Sequence, residues 1–183
     1  LVNVAFETAA SAFDMAADQD MVKRVAEAIK VLGCKSGIYG MIGGQAADIE
    51  AESGTQITEE LLLFIHENKT AALIQAAMMI GAILAGAERS EVVAMERAAY
   101  NIGIAFQIQD DILDITSTTE VLGKPVGSDE KNHKLTYVTL HGIEQSKAQV
   151  EKLSDEALAI LSSFENRNTF LEELVKFLIT REK

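Results

Sequence analysis

Apolar residues recur at spacings of three and four along nearly the whole chain, and no stretch sustains strict alternation, so the pattern predicts helices throughout. A first helix is expected from about Val2 to Ala17. Asp20 is placed to cap a second, with Val22, Val25, Ala26, Ile29 and Leu32 along one stripe. The stripe runs on through Gly33, Gly37, Gly40 and Gly44, a smooth face that lets another backbone or a ligand come close. Thr58 can cap a third helix reaching about Ala85, with Glu59 and Glu60 at the positive end of its dipole. Ser90 is the expected cap of a fourth, ending near Thr116. Residues 117–133 hold Gly123, Pro125, Gly127, Asp129 and Asn132 and carry the one long loop signal. Shorter helices follow over about 135–140 and 143–164. A last one is opened by Thr169, with Glu172 three residues on as a capping box.

A length of 183 residues with 48% hydrophobic content supports a proper core, and residues 1–183 read as a single all-helical domain. The formal net charge of −12 excludes a nucleic-acid backbone as the main partner, because that needs a basic footprint. Cys34 is the only cysteine, which rules out an internal disulfide, suits a reducing cytoplasmic setting, and predicts a small buried apolar residue. The N-terminus lacks the basic region of a signal peptide. The oily run Thr70–Ala87 is interrupted by Gln75 and rich in Ala and Gly, so it reads as a core helix and not a membrane span. The chain opens at Leu1 inside a helical pattern, as a piece of a longer protein would.

Candidate chemistry concentrates in the fourth helix, in Ala105-Phe106-Gln107-Ile108-Gln109-Asp110-Asp111-Ile112-Leu113-Asp114. At about 100° per residue, Gln107, Asp110, Asp111 and Asp114 fall within an arc of about 100°. The rest of the helix is apolar almost all round, so the carboxylates are expected to face a cavity. Three carboxylates close together must protonate, pair with bases or hold a cation. No Lys or Arg lies three or four residues from any of them, and a hard divalent ion is the natural answer. Magnesium takes one or two carboxylates plus waters and phosphate oxygens; calcium-loop spacing is absent, and His66, His133, His141 and Cys34 show no zinc-ligand spacing. The plain alternative is a solvated acidic stripe at a helix end.

Phosphate oxygens on such a metal call for lone cations in oily places. Lys69, beside Thr70, stands between Leu61-Leu62-Leu63-Phe64-Ile65 and Ala71-Ala72-Leu73-Ile74. It offers three donors and a point charge to a phosphate, and the neighbouring hydroxyl adds a donor. The competing account is a lysine that snorkels its head to the surface. Lys124 and Lys134 flank the long loop with Asp129 between them, and on spacing alone these are solvated loop charges.

Taken in order, Gly43-Gly44-Gln45-Ala46-Ala47-Asp48, Lys69-Thr70, Phe106 to Asp114, Leu122-Gly123-Lys124 and Lys134-Leu135-Thr136-Tyr137 resemble the trans-isoprenyl diphosphate synthases of the bacterial farnesyl and geranylgeranyl type. The resemblance covers essentially all 183 residues, but only the C-terminal part of such an enzyme. It implies an isoprenoid-synthase-type helical bundle around a deep apolar pocket, usually homodimeric. It also implies Mg2+, with Asp110 and Asp114 as ligands and Asp111 and Asp129 in support. Lys69, Thr70 and Lys124 would hold the diphosphate of an allylic substrate with Lys134 nearby, and Gln107 would stabilise the developing cation. The reaction implied is condensation of isopentenyl diphosphate with an allylic diphosphate, farnesyl diphosphate being the first choice of product and geranylgeranyl diphosphate the alternative. The first aspartate-rich motif and the isopentenyl diphosphate site of the family match nothing in these residues.

Two other readings compete. A non-catalytic partner subunit would keep the fold, but Lys69, Gln107, the three aspartates and Lys124 are all intact. A class I terpene cyclase shares ionisation by magnesium-bound carboxylates but depends on aromatic residues, and this chain has 5% aromatics and no tryptophan.

Overall fold

A computed structural model of the chain describes residues 2–52, 58–116 and 135–181, and every element among them is helical. In chain order they are α1 (Val2–Ala10), a 3-10 turn (Ser11–Met15), α2 (Gln19–Ser36), α3 (Met41–Glu52), α4 (Glu59–Ile65), a π-helical segment (His66–Ala71), α5 (Ala72–Ala85), α6 (Arg89–Thr116), α7 (Tyr137–His141), α8 (Ile143–Ser162) and α9 (Thr169–Thr180). The all-helical expectation holds. The predicted loop at 117–133, with Lys124 and Asp129, lies outside the described residues, as does Lys134.

Several caps differ by a residue or two from the sequence expectation. Asp18, not Asp20, caps α2, accepting a 2.8 Å bond from the Met21 N–H; Asp20 lies in the first turn and pairs with Lys23. Asn168, not Thr169, caps α9, and Glu172 is taken instead by Arg167, whose Nε and Nη2 reach its two oxygens at 2.8 and 2.6 Å. A competing carboxylate partner one step outside the helix overrides the capping box. α6 begins at Arg89, with the Glu88 N–H donating to Glu91 at 2.8 Å, so Ser90 lies inside the helix. Thr58 caps α4 as expected, 3.2 Å from the Leu61 N–H. The first helix stops at Ala10 and tightens into the 3-10 turn, and the glycine stripe is broken after Ser36, where a turn at residues 37–40 precedes α3. Glycines spaced this closely lower helix propensity by about 1 kcal/mol each, enough to end a helix.

α6 is the axis. It packs against α5 on one side and α8 on the other, and also touches the π segment, α7 and α9. Its buried Ile104, Ala105, Ile108 and Ile112 join Val138, Val150 and Leu153 in one core cluster, while Ala98 and Ile102 join Ala157, Leu161 and Val175 in a second. Ile108 is fully buried, a placement that contributes about 2 kcal/mol. Gln75, the polar break in the oily run, is also buried. It accepts from Lys35 Nζ at 2.9 Å, and the same ammonium donates to Glu96 at 2.7 Å, so α2, α5 and α6 are tied by one charge. The continuous run Glu59–Ala85 is long and apolar enough to cross a membrane by length and composition. Here it packs on α2 and α6 through that polar tie, as a bundle helix does. Gly86 ends it with φ at +83°, a left-handed conformation that suits glycine. Cys34 contradicts its expectation: it lies on the exposed side of α2.

Candidate functional site

The Lys69-Thr70 pair sits in the π segment, where the helix between α4 and α5 widens for one turn. Such bulges cost regular hydrogen bonding and concentrate at functional positions. The widening is held from two sides by glycines. A Cβ at Gly44 of α3 would lie 2.2 Å from the Lys69 backbone nitrogen, and one at Gly103 of α6 would lie 2.4 Å from the Ala71 Cβ. The glycine face noticed in the sequence thus does bring backbones together, at Gly44, and Gly103 supplies a second approach that it missed.

The π segment runs antiparallel to α6. Ala71 abuts Gly103 at one end, and at the other His66 Nε2 stands 4.0 Å from Asp111 Oδ2. Residues 103 and 111 are about 12 Å apart along a helix, so Lys69 and Thr70 lie at levels between them, with the backbone nitrogen and ammonium of Lys69 against Gly44 and Asp48 of α3. Gln107, Lys69 and Thr70 are all half-buried. The π segment that carries Lys69 and Thr70 thus packs against both α3 and α6, the helix of the acidic candidates.

Lys69 does not snorkel to solvent. Its Nζ lies 2.5 Å from Oδ2 of Asp48, a carboxylate only 3% exposed. A charge buried so deeply requires a partner. The ammonium retains further donors beyond the one that Asp48 engages. Asp48 belongs to the motif quoted above, yet its pairing with Lys69 could not be read from residues that lie 21 apart.

The three aspartates of α6 meet three different environments, where one shared cavity had been expected. Asp110 has a side chain 44% exposed and accepts a hydrogen bond from Arg181 Nη2. Asp111 is mostly covered and accepts a 2.8 Å bond from the Tyr137 backbone N–H at the start of α7. Asp114 is 2% exposed. Asp111 is covered at the start of α7, where Ile112 and Val138 share the core. Burial, and then the charge of Glu59, raise the Tyr137 phenol above its ordinary pKa. Arg181 also covers the Phe106 ring, with its Cζ 3.7 Å from the ring centre.

Among the described residues, no three His, Cys, Asp or Glu side chains are gathered as a ready metal cage. Magnesium needs no such cage, since it takes one or two carboxylates and completes its octahedron with water and phosphate oxygens. Asp110 and Asp114 are one turn apart on α6, Asp110 being the more exposed of the two. The hollow next to Phe106 is small and lined by Ile102, Ala105, Ser154, Val175 and Leu178.

Residues 2–176 match the polyprenyl synthetase family. The chain is 44% identical over 156 residues to a dimethylallyltranstransferase of Fischerella ambigua, covering 84% of this chain and 45% of that protein. It is 39% identical over 170 residues to the farnesyl diphosphate synthase of Escherichia coli, covering 91% of this chain and 55% of that one. It is 44% identical over 142 residues to a geranylgeranyl diphosphate synthase of Cyanophora paradoxa, covering 78% of this chain and 47% of that one. Among solved structures it is similar to an FPP/GFPP synthase of Zymomonas mobilis, with a TM-score of 0.80 at 29% identity over 96% of this chain and 57% of the other. It is also similar to the geranyltransferase of Helicobacter pylori complexed with magnesium and isoprenyl diphosphate, with a TM-score of 0.75 at 31% identity over 97% of this chain and 56% of the other. The chain thus spans about half the length of the relatives it matches. With the helical fold, the ordered motifs and these matches in agreement, the chain belongs to the polyprenyl synthetase family.

Proposed function

We propose that this chain forms the allylic half of a trans-prenyl diphosphate synthase, which condenses an allylic diphosphate with isopentenyl diphosphate in the presence of Mg2+. The observation that carries the reading is the junction of Lys69 with α6. Lys69, paired with Asp48, stands on the segment whose Ala71 abuts Gly103 of α6 and whose His66 Nε2 lies 4.0 Å from Asp111 in the carboxylate row. A diphosphate and its metal need both signs of charge that close together. The geranyltransferase complexed with magnesium and isoprenyl diphosphate lends support by similarity.

In this reading Asp110 and Asp114 hold Mg2+, with Asp111 and Asp129 in support, and bound Mg2+ supplies charge stabilisation for the diphosphate as the carbon–oxygen bond ionises. Lys69 and Thr70 donate to the diphosphate oxygens, joined by Lys124 and Lys134. Asp48 orients the Lys69 ammonium. The Gln107 amide presents a dipole to the allylic cation. The isopentenyl double bond attacks that cation, and the proton released goes to the departing diphosphate. The product is a short-chain prenyl diphosphate, farnesyl in first place and geranylgeranyl as the alternative, since relatives of both names match. A cytoplasmic homodimer in which a deep apolar pocket receives the growing chain belongs to the same reading.

Calorimetry decides it. Dimethylallyl diphosphate is expected to bind in a Mg2+-dependent manner, and Asp110→Asn is expected to abolish that dependence while helicity by circular dichroism is unchanged. Equal affinity in the two proteins would remove the metal clamp. Product analysis with labelled isopentenyl diphosphate then reads chain length directly.

A further inference from the structure

Arg181 and Asp110 lie 71 residues apart, yet the arginine donates from Nη2 both to Asp110 Oδ1 and, at 3.2 Å, to the carbonyl of Phe106. Its side chain is 11% exposed, and the guanidinium stacks over Phe106 one turn before Asp110. One acidic residue of the row therefore carries its own counter-ion, brought from just past the end of α9.

The pairing is built to come apart. Arg167 engages both oxygens of Glu172 with both Nε and Nη2, a full fork. Arg181 engages Asp110 through Nη2 alone, and its Nε is buried without an acceptor among the described residues. A buried donor left unsatisfied weakens the clasp that hides it. Arg181 is also the first residue beyond α9, with extended backbone angles of −61° and 144°. Rotation there swings the side chain away without disturbing Val175, which anchors the helix at 2% exposure.

We propose that Arg181 is a displaceable internal counter-ion of Asp110: divalent-cation binding at Asp110 expels the guanidinium and releases the end of α9, and Arg181 in turn holds cation affinity down. The inference rests on the reading of Asp110 as a metal ligand. A cation on this carboxylate would stand within a few ångströms of the guanidinium, and like charges at that range repel strongly. Linkage makes the effect mutual, so whatever the cation loosens, Arg181 opposes by the same factor. In the ion-free state the clasp keeps a row of acids from repelling itself, and in the bound state it frees an arginine at the rim.

The test uses two readouts besides activity. Mn2+ is titrated into the wild-type chain, Arg181→Gln and Asp110→Asn, with free ion followed by electron paramagnetic resonance. Arg181→Gln is expected to bind Mn2+ about tenfold more tightly, the worth of one charge-assisted hydrogen bond. Separately, hydrogen exchange of the wild-type chain is expected to speed up over residues 176–181 when Mg2+ is added. Unchanged affinity in Arg181→Gln, or unchanged exchange in the wild type, overturns the counter-ion role while leaving the metal site in place. Mn2+ binding that ignores Asp110→Asn, or is absent, overturns both.

Discussion

Lys69 Nζ and Asp48 Oδ2 stand 2.5 Å apart across the contact between α3 and the π segment, the carboxylate almost wholly buried and the lysine about one-third exposed. The asymmetry predicts unequal costs. Lys69→Ala strips a buried carboxylate of its cation and is expected to destabilise the chain by about 3 kcal/mol. Adding Asp48→Asn to Lys69→Ala should restore much of that stability without restoring diphosphate binding. Denaturant melts and calorimetry on the double-mutant cycle separate the two effects. Full recovery of binding in the double variant would show that Lys69 serves only Asp48.

The glycines that pinch the π segment give a second prediction. Gly44→Ala and Gly103→Ala each force a methyl group into atoms 2.2 and 2.4 Å away, much of it backbone. Overpacking of this kind costs about 1–3 kcal/mol and should displace Lys69. Gly81 lies on the exposed side of α5 with no atom within 4 Å of a Cβ. Gly81→Ala is therefore expected to stabilise by about 0.5–1 kcal/mol through helix propensity. Thermal melts of the three variants should split in sign.

Asp111 serves the fold by taking the first N–H of α7, beside the Thr136 capping box. Asp111→Asn keeps an acceptor at that N–H, whereas Asp111→Ala leaves the donor unsatisfied at a cost of about 1–2 kcal/mol. Loss of exchange protection at Tyr137 in the alanine variant alone is the expected readout. Equal protection in both would mean that the tether contributes nothing.

The Arg167–Glu172 fork sets a pH dependence. Hydrogen bonding to Arg167 holds the Glu172 carboxyl below its ordinary value of 4.5, against the opposing effect of burial. A depressed folded-state pKa means that the stabilisation is complete above pH 4.5 and is lost as pH falls through the lower, folded value. The melting temperature of Arg167→Gln should thus fall less steeply between pH 5 and pH 3 than that of the wild type, by about the share of one exposed-side ion pair. Parallel curves would contradict it.

The sequence by itself determined the helical class, the approximate span of α6, α8 and α9 and the presence of an acidic row on α6. Helix periodicity, Thr58 as a cap and the Gln107 to Asp114 row are encoded within a few turns of chain, where each residue's neighbours are known in advance. The exact caps slipped wherever two good candidates stood side by side, as with Asp18 and Asp20 or Asn168 and Thr169. Only the tertiary structure decided which charge answers which: Asp48 meets Lys69, Asp110 meets Arg181, and Asp111 meets the N–H of Tyr137. Periodicity fixes the faces of a helix but not its rotation or axial shift against the next one. That register is set by whole-core packing, here by Gly44 and Gly103 admitting the π segment, and it turns an acidic stripe with no nearby base into a row with partners from distant parts of the chain.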